Sequence, residues 1–400
     1  MKILFISTRL PHARVVSGHL IVYQRVKRLA ERGHEIGLAV FAREDDEAHV
    51  AEVRPLVRDL EIIPAPPRTP LRKLGGFLFS SVPEPFAAFY SPRMLRCVGD
   101  LVERGRYDVA LSEFAYMGQY LNRNPYLPAV RKIVSVHQCQ TTVARKELEL
   151  RGVSPRAAPA WFAMKGLERY EFDIYRHADH ILVLTAEERF DLLNYAPDLR
   201  TTVIPSGVDT SFFQPADPAL KEEAIVFTGN YSDEPNRDAV MWFVHAVWPA
   251  LKERRKDLVF YVVGPSPTPA MQDRARKDPQ IRVTGEVPDI RPYLARARVF
   301  VSPSRLGSGM RGKLLQAMAS GLPVVSTTLG AEGISIQMGD TGFLADTPHL
   351  MAQAIHLLLD DRTLQETVGR RARAMVCERF SWNLGVDQLE GVLRDVVSGK

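Results

Sequence analysis

The sequence contains no run of about 18 consecutive apolar residues, so it offers no candidate for a membrane-spanning helix. It has only three cysteines, Cys97, Cys139 and Cys377, far apart and in no metal-binding or redox spacing. That excludes a disulfide scaffold and a zinc ribbon. All three are expected to be buried small hydrophobes in a reducing compartment. There is no Asp-x-Asp pair of the kind that holds a catalytic divalent ion, and the acidic run "EDDE" (Glu44–Glu47) reads as solvated loop. No metal and no cofactor are therefore expected. Internal repeats and low-complexity tracts are absent, apart from a Pro-rich connector, "PAPPRTP". "MKILFISTRL" enters strand-like sequence without a signal-peptide pattern, and a cytoplasmic location is the expectation.

Charge of one sign is only slightly in excess. Of 52 Lys+Arg and 47 Asp+Glu, residues 1–205 hold 29 and 24, which leaves 23 and 23 in residues 206–400. The whole excess of +5 thus lies in the first half. It suits an anionic partner, a phosphorylated substrate or an anionic membrane surface. It is too weak to argue for nucleic acid, and no nucleic-acid recognition motif occurs.

What the sequence does have is length and alternation. Four hundred residues exceed what one hydrophobic core usually serves, so two domains are expected. Short apolar runs alternate with helical stretches throughout. The first half has "KILFIS", "EIGLAVF", "LEIIPA", "DVALSE", "KIVSVH", "HILVLT" and "TTVIP". The second has "AIVFTG", "LVFYVVG", "IRVTGEV", "VFVSPS", "PVVSTT" and "GFLAD". Most lack polar alternation, as strands buried on both faces of a parallel sheet do. The helix predicted over Leu20–Arg32 stops at Gly33, as at a C-cap. Around "PSGVDTSFFQPADP" (205–218) the order restarts. The prediction is an α/β chain of two Rossmann-like domains, 1–205 and 206–378, with a site in the cleft they share, beyond the carboxyl ends of the strands.

The stretch "GSGMRGKLLQAMASGLPVV" (307–325) carries the most chemistry. Gly307, Ser308 and Gly309 form a small loop between a strand and a helix predicted over Met310–Ser320. Such a loop lets the backbone approach a ligand, and the helix start offers free N–H groups. Arg311 and Lys313 fall in the first turn, where cations oppose the helix dipole, unless a polyanion such as a diphosphate binds there. Gln316, three residues after Lys313, shares a helix face with it and can both donate to and accept from paired hydroxyls. Glu332, in "TTLGAEG", could accept from sugar hydroxyls or orient Arg311. In the first half, Gly18 directly precedes a helix, and His12, Arg14 and His19 are polar neighbours. Glu113 and His137 each end a strand and so fall at the rim of the cleft. Glu113 could bind an acceptor or steady His137. Residues 71–98 mix aromatics with Arg and Lys, which fits an acceptor channel, a membrane-facing patch or core packing equally.

These motifs bear a resemblance. "IPSGVDTSFF", "FTGN…PNRDAVMWF", "VSPSRLGSGMRGKLLQAMASGLPVVSTTLGAEGI" and "ERFSW" together resemble the family 4 glycosyltransferases, especially those encoded with bacterial exopolysaccharide genes. The resemblance implies the GT-B fold, with residues 379–400 forming a last helix that packs back on the first domain. It implies a nucleotide-diphosphate sugar donor in the second domain, held by Gly229, Gly264, Val287, Gly307, Ser308, Gly309, Gln316 and Glu332, with Gly18 reaching towards the phosphates. It implies that His137 contacts the transferred sugar and that His12, Arg14 and Glu113 lie on the acceptor side. Metal-free transfer with retention of configuration follows, with Arg311 and Lys313 steadying the leaving phosphates. The acceptor implied is a glycan or a lipid-linked molecule, with peripheral contact at the inner face of the membrane. Two departures stand out. The family's Glu, seven residues, Glu motif is replaced by Ser308 and Gln316, and its diphosphate-binding Arg and Lys near the domain's first strand have no clear match, Arg237 being a weak substitute. A non-catalytic nucleotide-sugar-binding or scaffold subunit is therefore the alternative, ahead of a nucleotide-sugar epimerase.

Overall fold

The computed structural model describes residues 1–13, 18–66, 82–151, 158–307 and 310–399. By its internal contacts the chain divides into two compact units, Met1–Pro205 with Gly385–Lys400, and Ser206–Leu384. Each is built on one parallel sheet.

The first sheet is made of β1 (Lys2–Ser7), β2 (Glu35–Ala42), β3 (Asp59–Pro64), β4 (Val109–Glu113), β5 (Arg131–Val136), β6 (His180–Val183) and β7 (Thr201–Val203), in the order 3-2-1-4-5-6-7. The second is made of β8 (Ala224–Thr228), β9 (Val259–Val263), β10 (Ile281–Gly285), β11 (Val299–Ser302), β12 (Val324–Ser326) and β13 (Phe343–Leu344), in the order 10-9-8-11-12-13. Every strand answers to one of the apolar runs of the sequence. The central ones, such as β4, β8 and β11, are buried along their whole length, because helices cover both faces.

In each sheet the order reverses once, between β1 and β4 and between β8 and β11. Crevices for ligands open at the carboxyl ends of such strand pairs. The helix Gly18–Glu31 packs Ile21, Val22, Val26 and Leu29 beneath the first crevice and ends before Gly33, whose φ of +82° closes it. The last helix, Trp382–Ser398, buries Val386, Leu389 and Leu393 in the core that contains Ile3, Phe5 and Leu111. Its Glu390 accepts from Arg32 at 2.6 Å and pairs with His34 at 2.7 Å. Residues 379–384, grouped with this helix from the sequence, belong to the second unit.

The cysteines differ from expectation. Cys139 is buried, but Cys97 is half-buried and Cys377 exposed, since it lies on the outer face of the helix Arg362–Arg379. The run Glu44–Glu47 is not wholly solvated either. Asp46 is 3% exposed, because the Arg9 guanidinium holds it. In the stretch 71–98, residues up to 81 lie outside the described part, while Phe86, Met94 and Val98 are buried.

Candidate active site

In the second unit, the loops leaving β8 and β9 meet. The Gly229 N–H donates to the Val263 carbonyl at 3.0 Å. Gly264, at φ +137°, sits so close that a Cβ there would stand 2.0 Å from the Gly229 carbonyl oxygen. Both glycines serve the approach of one loop to the other. Val287 is half-buried and packs against the core.

Beyond β11 the chain reaches Gly307 at φ +86°, where a Cβ would lie 3.0 Å from an Arg311 guanidinium nitrogen. The glycine is needed both for its backbone conformation and for the space that the guanidinium takes. Ser308 and Gly309 lie outside the described residues. The helix runs from Gly312 to Ala319, shorter than the sequence suggests, with Arg311 as its N-cap. Arg311 is therefore not in the first turn. Its extended backbone (ψ 95°) leads into the helix, and its Nη2 donates back to the Leu306 carbonyl at 3.1 Å.

The two cations here are poorly compensated. Burial pushes the Arg311 pKa down, and the Glu332 charge only partly opposes this. Arg311 Nε is buried with no hydrogen-bond partner among the described residues. Burial, and then the charge of Arg311, bring the Lys313 ammonium down to about 7, the charge of Asp233 only partly opposing them. That ammonium donates to Asn236 Oδ1 and lies 4.3 Å from the centre of the Phe227 ring. Asn236 is itself fixed by donating to the Asn230 carbonyl at 2.8 Å. A half-buried, partly desolvated cation pair at a helix start is a site that an anion relieves. Gln316, one turn on, is half-buried, and its amide makes no hydrogen bond to another described residue. Arg237 instead donates to the Tyr231 and Ser232 carbonyls and ties down its own loop.

In the first unit, β4 ends on Glu113, and His137 follows β5 directly. Expected either to bind an acceptor or to steady His137, Glu113 is fully buried and bonds His137. Its two oxygens accept from Arg25 Nη1 at 2.9 Å each, and Oε2 stands 2.8 Å from His137 Nε2. Arg25 Nη1 also reaches Ser135 Oγ at 2.8 Å. Burial alone would raise the Glu113 pKa, but Arg25 and the His137 hydrogen bond overcome it and hold the carboxyl at about 2. Burial lowers the pKa of His137, with Glu113 opposing and Arg25 assisting. The His137 ring stacks on Phe114 at 4.2 Å, and Phe114 has φ +72°, a strained backbone for so bulky a residue. Gly18 closes the group. A Cβ there would lie 2.6 Å from His137 Nδ1 and 2.7 Å from the Phe114 ring.

The other first-half candidates sit apart from this group or at its edge. His19 bonds Thr8 Oγ1 at 2.8 Å and, chiefly by burial, has its pKa lowered to about 3. His12 is 4% exposed and stacks on His49 at 3.8 Å. With Glu52, these are a group of described residues whose donor atoms lie within 4.8 Å of one another. Their rings are nearly parallel (11°), so their in-plane lone pairs do not converge on one ion. Arg14 lies outside the described residues.

Arg25, Phe114 and Asn236 were not anticipated. Arg25 had a signal in the sequence: it occupies the apolar stripe Ile21, Val22, Val26, Leu29, where a charge needs a buried partner. Asn236 had none.

Two family models match the chain, "Glycosyltransferase Family 4" over residues 20–212 and "Glycosyl transferases group 1" over residues 222–361. A D-inositol 3-phosphate glycosyltransferase of Corynebacterium glutamicum is 25% identical over 96% of this chain and 93% of its own. Among solved structures, the sucrose-phosphate synthase of Thermosynechococcus elongatus superposes with a TM-score of 0.76 at 17% identity over the whole of both chains. Anabaena HepE, solved in complex with UDP-glucose, superposes with a TM-score of 0.70 at 15% identity over 99% of this chain and 100% of its own.

Proposed function

Because the chain belongs to the family 4 glycosyltransferases and has the GT-B fold, we propose that it moves a sugar from a nucleotide-diphosphate donor to a hydroxyl of a glycan or lipid-linked acceptor. Transfer proceeds with retention of configuration and without a metal, in surface-polysaccharide or glycoconjugate synthesis. The observation that carries this reading is the half-buried pair Arg311 and Lys313 at the start of the helix Gly312–Ala319. Two cations held without adequate counter-charge fit a diphosphate leaving group and stabilise the charge that develops on it. The acceptor hydroxyl attacks on the leaving-group face, and the departing phosphate helps to take its proton. Gln316 holds the ribose, Glu332 orients Arg311, and His137 contacts the transferred sugar.

The acceptor has a second reading. The corynebacterial relative is named for D-inositol 3-phosphate, and the +5 excess of residues 1–205 favours an anionic acceptor. No described helix is long and apolar enough to cross a membrane. The working location proposed is the cytoplasm, with the basic first half touching the inner membrane face.

Incubation with UDP-, GDP- and ADP-sugars, with cell-derived glycolipid, oligosaccharide and sugar phosphate acceptors, tests the proposal by nucleotide release and by the anomer formed. Acceptor-dependent release with a retained anomer is the expected outcome. Tight nucleotide-sugar binding without release under any pairing would support the non-catalytic alternative that Ser308 and Gln316 raise.

A further inference from the structure

The hydrogen atoms around His137 follow from its neighbours. Glu113 has both oxygens on Arg25, has no exposed surface and stays ionised. An ionised carboxylate only accepts, so the proton in the 2.8 Å contact sits on His137 Nε2. In a neutral ring the other nitrogen, Nδ1, then carries a lone pair. Nδ1 is buried and has no partner among the described residues. Gly18 packs directly against it, so closely that a Cβ there would lie 2.6 Å away, while Phe114 fixes the plane of the ring.

We propose that Arg25 and Glu113 are positioning residues that lock His137 as the neutral Nε2–H tautomer, so that Nδ1 meets the substrate as a hydrogen-bond acceptor and reads a hydroxyl there. This deepens the proposed function and rests on its placing of His137 against the transferred sugar. A sugar lacking that hydroxyl leaves Nδ1 unpaired, which weakens its use about 10- to 100-fold. His137 is then neither a general base nor an acid.

The charges that face the ring in this unit decide its protonation. Arg25 comes from the helix Gly18–Glu31, Glu113 from the end of β4, and His19 from the first turn of that same helix. His19 bonds Thr8 and is uncharged at neutral pH. Glu113 would draw a proton onto His137, but its charge is already matched by Arg25, which repels a second cation. Arg25 thus does more than pair with a buried acid. Buried ion pairs add little net stability over apolar packing, and this one also sets which His137 nitrogen is free.

Ring ¹⁵N spectra of histidine-labelled protein, with His137 assigned by its loss in His137→Gln, test this without any ligand. Between about pH 5 and 8, the range in which ordinary histidines titrate, the wild-type ring should stay neutral with its proton on Nε2. A proton on Nδ1, or a titration within that range, would overturn the inference. In Arg25→Met, Glu113 faces the ring alone, so the ring pKa should rise and a protonated ring appear at the acid end. Arg25→Lys should restore the neutral form. An Arg25 with only a structural role would lower the melting temperature and leave the ring's ionisation unchanged. Should Arg25→Met not fold, the wild-type spectrum still decides. His137→Ala, assayed with the UDP-, GDP- and ADP-sugar panel, separates the two claims. Undiminished nucleotide release removes the sugar-contact reading and with it the hydroxyl reader, although the tautomer would stand. Lost release together with a protonated wild-type ring removes only the present inference.

Discussion

Lys313 carries a charge that its surroundings have made conditional. With its pKa at about 7 instead of 10.5, the free amine loses its proton as the pH rises through neutrality. A bound diphosphate favours the charged form, so binding above about pH 7 takes up a proton, and affinity falls with rising pH there and levels off below. Calorimetry of UDP or GDP binding in two buffers of different ionisation heat measures that uptake directly. Arg311, whose Nε is buried and unpaired among the described residues, is the second contact in the proposed site. Arg311→Ala should cost about 1.5–3 kcal/mol of nucleotide-diphosphate affinity, the range for hydrogen bonds to charged groups, whereas Gln316→Glu should be tolerated or should improve donor affinity. Gly18→Ala is the corresponding change in the first unit. Its methyl would press on His137 Nδ1 and Phe114. The expected result is about 1–3 kcal/mol of lost stability from overpacking, together with a fall in kcat/KM, read by urea denaturation and by nucleotide release.

At the scale of elements, the last helix acts on a unit from which most of the sequence separates it. Leu389 and Leu393 are fully buried in the core of the first sheet. Leu389→Ala should therefore cost about 2–5 kcal/mol in chemical denaturation, as large-to-small core changes do. A loss under 1 kcal/mol would mean that the helix docks only loosely. The strands themselves were legible in the sequence, because a strand buried on both faces must be apolar throughout and says so in a run of five or six letters. The helix Gly312–Ala319 was less so. Its start depends on the extended backbone of Arg311 and on where the guanidinium turns, and neither is a property of local composition. Asp46 shows the same limit from the other side: an acid in an acidic run reads as solvated until Arg9 arrives from the end of β1.

For the whole molecule, the uneven charge has a measurable consequence. If the +5 excess of residues 1–205 brings the protein to an anionic surface, flotation with anionic liposomes should succeed at low salt. It should fail once salt screens interactions beyond about 8–10 Å. No flotation at low salt would leave the acceptor as the reason for that charge. The sequence by itself determined the two α/β units, the thirteen strands found among the described residues, the glycines of the turns and the cations that follow Gly307. Each of these is a local demand, for apolar runs, for space or for charge, that a short stretch of chain must meet alone. Only the tertiary structure decided that Glu113 turns inward to Arg25 and His137, that Lys313 rests on Phe227 and Asn236, and that Gly18 packs against an unpaired Nδ1. Those partners lie from 24 to 119 residues apart in the chain (113 to 137, and 18 to 137), and proximity at that range is set by how strands are ordered in a sheet, which local composition does not encode.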